Sequence, residues 1–143
     1  MSWLPKQRVV VPVDFSDESI AALDTAICLV PGAANLHVLY VLPTVELMGD
    51  AEVMLNTLDE GVRRKHAEQA LRERLGKDRF VGLNVSVAFG DPGHEIAEFA
   101  ERIAAELIVL PSHGRRGLSR LLIGSVAERV VRLAHCPVLV LRK

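Results

Sequence analysis

The sequence predicts an α/β sandwich, and three observations carry that prediction. Five short, apolar, largely β-branched runs are spaced along the 143 residues. The intervals between them hold four amphipathic helical patterns, joined by short turns at most junctions. Runs this apolar read as strands covered on both faces, the habit of parallel sheets flanked by helices.

Arg8-Val-Val-Val-Pro-Val13 is the first strand, with Pro12 placed near its C-terminal end because proline lacks the N–H that a ladder needs. Ser16 is positioned to cap the following helix, with Asp17 and Glu18 matching the dipole in its first turn. Ile20, Leu23, Ile27 and Val30 form its expected buried stripe, and Pro31-Gly32 stops it.

Leu36 to Leu42 is the second strand, ended by Pro43. From Thr44 to about Asn56 no period is evident, so a connection lying over the sheet's C-terminal edge is expected. Leu58, Val62, Ala67, Ala70, Leu71 and Leu75 mark a long helix stopped near Gly76. Its outer charges, among them Arg63, Arg64, Arg72 and Arg74, read as a solvated face.

Leu83 to Ala88 is the third strand, and Asp91-Pro92 is a strong helix start for the stripe Ile96, Phe99, Ala100 and Ile103. Leu107 to Leu110 is strand four. A glycine-bearing loop leads from it into a helical pattern over Val126 to His135, and Pro137 to Leu141 is strand five. That last strand is expected at a sheet edge, where a bare apolar edge invites pairing with a second copy.

The length fits one domain over residues 1–143, and a formal net charge of −1 gives no general pull toward nucleic acid or anionic lipid. The N-terminus lacks a signal peptide's apolar core and no run approaches the roughly 20 residues of a membrane span, so a cytoplasmic protein is expected. Cys28 and Cys136 lie far apart and read as small core residues, and the five histidines show no metal-ligand spacing.

Function is expected around Leu110 to Val126. A strand, a loop and a helix N-terminus gather backbone N–H groups and the positive end of a helix dipole, which suits a phosphate. Gly114, Gly117 and Gly124 permit close backbone approach, Ser125 adds a hydroxyl, and Arg115, Arg116 and Arg120 add positive charge. Asp14 can accept from a ligand amine or hydroxyl, or brace its own turn. His113 can touch a phosphate or brace the loop. The chain has no P-loop, no G-x-G-x-x-G, no acidic set of a phosphoacceptor domain and no nucleophile–base arrangement, so binding rather than turnover is expected.

Val11-Pro-Val-Asp-Phe-Ser16, Leu39-Tyr-Val41, Gly90-Asp-Pro-Gly93, Ala105 to Leu110, Ser112-His-Gly114, Gly124 to Arg129 and Cys136 to Val140 together resemble the universal stress protein family, in the family's order. The family's ATP-binding branch carries G-2x-G-9x-G-[ST]. Gly114, Gly124 and Ser125 match its last three marks, while Pro111 replaces the first glycine. Proline there removes one amide donor, a loss of about 1 kcal/mol that weakens binding several-fold. The resemblance implies a five-stranded parallel sheet with helices on both faces, of the adenine-nucleotide α-hydrolase-like class. It implies ATP with Mg or Mn, with Asp14 and Val41 at the base, Pro12 lining the pocket, and Gly114, Gly124, Ser125 and Val126 at the phosphates. It also implies homodimerisation through the last strand and a stress-response regulatory role toward an unknown protein partner, with little or no hydrolysis; the charge and the lack of a long apolar run already argue against nucleic acid and membrane.

Overall fold

The central strand β1 (Val9–Pro12) carries three valines with no exposure, because it lies between two parallel neighbours and under helices on both faces. This computed structural model describes residues 2–44, 60–113 and 123–142. Within them β2 (Leu36–Leu42), β3 (Asn84–Phe89), β4 (Leu107–Pro111) and β5 (Val138–Leu141) join β1 in one sheet of order β3-β2-β1-β4-β5, every pair parallel. β5 is an edge strand, as the sequence predicts.

Alternation along the strands divides the core in two. Val9, Val11, Val38 and Val109 face α1 (Asp17–Ala26) and α2 (Glu60–Leu75), whose Leu23 and Leu71 complete that layer. Val10, Leu39, Ile108 and Leu110 face α3 (Pro92–Arg102) and α4 (Ser125–Leu133), through Ile96, Phe99 and Val130. The helices change face after β3, which is what a chain making right-handed crossovers must do when its sheet grows first to one side of β1 and then to the other.

The helix starts follow their caps. Ser16 Oγ accepts from the Ser19 N–H at 3.1 Å, and Asp91 Oδ2 accepts from the His94 N–H at 3.0 Å with Pro92 in the first turn. Of the predicted stripe Leu23 and Val30 are buried, while Ser19, Ala22 and Ala26 take the places expected for Ile20 and Ile27. Small side chains take the line nearest the sheet, and those two isoleucines flank it half-buried. In α2, Ala67, Leu71 and Leu75 are buried while Ala70 is exposed.

Two other expectations are corrected. Cys28 is exposed, its thiol directed to the Asp24 carbonyl at 3.4 Å, whereas Cys136 is half-buried and burial pushes its thiol pKa up. The charges of α2 are not simply solvated. Arg63 Nη2 donates to the Pro43 carbonyl at 3.1 Å, Arg64 Nη1 donates to the Val87 carbonyl, and both guanidinium groups lie 5.1 Å from the Phe89 ring centre. Most of the predicted Thr44–Asn56 connection lies outside the described residues. Among the described residues no helix is long and apolar enough to cross a membrane.

Candidate functional site

β1 and β4 are neighbours, yet β1 leads to α1 on one face and β4 is followed by α4 on the other. The crevice between their C-terminal ends is therefore the place where a fold of this class opens to a ligand. A cavity of about 560 Å³ lies there, within the usual range for small-molecule sites. Leu39, Val41 and Ile96 supply apolar wall, while Asp14, Ser112 and Ser125 supply polar groups.

Asp14 is held by its own turn. Its Oδ1 accepts from the Ser16 N–H at 3.0 Å and from the Ser16 hydroxyl, and its N–H donates to Ser19 Oγ at 3.3 Å. The Ser19 hydroxyl, itself buried, donates to the Ser16 carbonyl at 3.0 Å. Phe15 completes the turn with φ +64°, a left-handed conformation that costs roughly 1 kcal/mol outside glycine. Its ring packs edge-on against Tyr40, with centroids 5.0 Å apart. Asp14 therefore braces its turn, the second of the two sequence readings, and it also lines the cavity.

At the opposite wall α4 begins without a side-chain cap from Gly124 or any other of the described residues. The Glu128 N–H makes the first helical bond, to the Gly124 carbonyl at 2.9 Å. The helix's own ladder leaves the amides of Ser125, Val126 and Ala127 over, and all three residues line the cavity. The Gly124 amide is committed elsewhere, donating to the Ser112 carbonyl at 2.8 Å. Gly124 thus contributes shape, since a Cβ there would overlap the Ser112 carbonyl oxygen.

Six of the predicted site residues, Pro12, Asp14, Val41, Gly124, Ser125 and Val126, meet at this cavity. Gly114, Arg115 and Gly117 lie outside the described residues. His113 lines the cavity, as does Pro111, the last residue of β4. Sequence reasoning assigned no site role to Ile96, Ser19 or Asp91, because a helix stripe, a helix residue and an N-cap each look purely structural in one dimension. On the outer side of α3, His94, Glu95 and Glu98 bring ligand atoms within 4.8 Å of one another, with Glu95 half-buried. Here His94 Nε2 lies 3.0 Å from Glu98 Oε2.

The sequence profile described as "Universal stress protein family" matches residues 6–142. The chain belongs to that family. Universal stress protein MJ0531 of Methanocaldococcus jannaschii is 36% identical over 141 residues, covering 96% of this chain and 82% of that protein. Universal stress protein YxiE of Bacillus subtilis is 32% identical over 146 residues, covering 94% and 98%. Among solved structures, hypothetical protein MJ0577 superposes with a TM-score of 0.73 at 26% identity, covering 98% of each chain. Universal stress protein UspA from Lactobacillus plantarum follows with a TM-score of 0.72 at 30% identity, covering 95% and 97%. A universal stress protein in complex with cAMP shares the fold, with a TM-score of 0.59 at 24% identity, covering 96% and 97%. The stretches on which the sequence resemblance rests bring Asp14 after β1, Val41 in β2 and Gly124-Ser125 at the start of α4 to the cavity.

Proposed function

We propose that this universal stress protein is an ATP-binding regulatory protein that acts as a cytoplasmic dimer, with little or no hydrolysis. The observation that supports it is the convergence of an apolar wall, Asp14 and the N-terminus of α4 on one cavity. A purine suits the wall of Leu39, Val41 and Ile96, and phosphate oxygens suit the amides of Ser125, Val126 and Ala127 together with the helix dipole. The cavity residues fit a nucleotide, and a bound Mg²⁺ or Mn²⁺ would neutralise its phosphate charge. Gly114, Arg115 and Gly117 are proposed to complete the phosphate end. A thermal melt tests the reading: ATP with Mg²⁺ at about a hundred times its dissociation constant adds about 2.7 kcal/mol to stability. An unchanged melting temperature at millimolar ATP would overturn it.

A second reading, a nucleotide-independent dimeric interaction module, is favoured by two observations. Pro111 has no N–H to offer at the end of β4, and the Gly124 amide is already bonded to Ser112. Partner recruitment that survives Gly124→Asp while ATP binding is lost would favour this module.

A further inference from the structure

We infer that Asp91 is the protein's contact to the divalent cation accompanying the nucleotide, and so sets how strongly nucleotide affinity depends on metal. This rests on the nucleotide-binding reading above. Asp91 lines the main cavity and also a side recess of about 250 Å³, and both are lined in addition by Ser125 and Val126 at the start of α4. A carboxylate therefore stands beside the amides that suit phosphate. Its two oxygens differ. Oδ2 accepts from the His94 N–H at 3.0 Å and pairs with Arg129 Nε at 3.0 Å, which fixes the side chain. Oδ1 has no hydrogen bond or ion pair among the described residues.

An open carboxylate oxygen in a phosphate site acts in opposite directions with and without metal. Bare ATP is polyanionic, and Asp91 repels it; the single positive charge of Arg129 offsets Asp91 but brings no excess. Mg²⁺ and Mn²⁺ are hard cations that take carboxylate and phosphate oxygens together. With such an ion present, Oδ1 turns from a repulsive group into a ligand.

Asp91→Asn separates these effects while keeping the fold, since asparagine caps a helix as well as aspartate does and its carbonyl still accepts from His94. ATP is titrated into wild type and variant by calorimetry, in EDTA and in millimolar MgCl₂, with matching thermal melts as the folding check and Asp91→Ser as a second capping variant. Wild type is expected to bind about tenfold tighter or more with Mg²⁺ than in EDTA. Asp91→Asn is expected to bind more weakly than wild type with Mg²⁺ and more tightly in EDTA, so the two curves cross. The same metal enhancement in both proteins would overturn the inference. Mn²⁺ uptake without nucleotide, followed by electron paramagnetic resonance, that is retained in Asp91→Asn and lost in Glu98→Gln would move the metal to the His94, Glu95 and Glu98 cluster and also overturn it. No binding by wild type in any buffer would remove the nucleotide reading itself.

Discussion

The amide of Gly124 donates to the carbonyl oxygen of Ser112 at 2.8 Å, and that oxygen occupies the space any Cβ at Gly124 would need. One bond thereby ties the end of β4 to the start of α4 and sets where the helix amides stand. Gly124→Ala is expected to lower stability by about 1–3 kcal/mol in urea denaturation, the usual cost of an atom forced into occupied space. It should weaken ATP binding as well, because the helix start must shift. Unaltered stability would mean that the contact relaxes freely.

Ser16 links the other wall to its helix. Its Oγ caps α1 through the Ser19 N–H and its hydroxyl and amide hold Asp14. Ser16→Ala is expected to cost about 1 kcal/mol for the cap alone. ATP affinity should fall in the same variant, since Asp14 loses the hydroxyl that orients it; calorimetry beside denaturation separates the two effects.

β5 ends the sheet, and each of its residues Val138 to Leu141 is only half-buried. Val131 and Leu133 of α4 add exposed apolar surface. A second copy pairing along that edge would cover the strand. Val140→Lys is expected to sediment as a monomer where wild type sediments as a dimer, and an unchanged dimer would refute the assignment.

Stability should fall in two steps as pH is lowered. Burial, and then the nearby Arg8 charge, hold the His37 pKa below the ordinary histidine value. The unfolded chain therefore takes up a proton first, so stability is lost as pH falls from the ordinary histidine value to the lowered one. Glu106 accepts from the Gln7 N–H at 2.6 Å and the Arg8 N–H at 3.3 Å, with the Gln7 bond the largest cause of its lowered pKa. Its contribution is present above the ordinary carboxylate value and lost as pH falls through its lowered folded pKa. Urea midpoints against pH should lose only the upper step in His37→Gln.

Much of this was legible because local chemistry and tertiary structure agree. Ser16, Asp91 and Pro92 start their helices where their side chains say, and β2 spans the predicted Leu36 to Leu42. Sheet order, and with it the meeting of Asp14 with Ser125, needed the family resemblance or the structure, because β1 and β4 are joined by nothing local. Ile20 lost its predicted place because apolar bulk does not reveal which side of a stripe lies closest to a sheet. Arg63 and Arg64 misled for a related reason: long stems let charged heads leave a solvated face and reach the carbonyls at the sheet's end.

The most direct test of the central claim is a calorimetric titration of the purified chain with ATP in Mg²⁺, run beside Gly124→Asp checked for folding. A saturable heat in wild type that is lost in Gly124→Asp is the predicted result. No heat from wild type at millimolar ATP would contradict it.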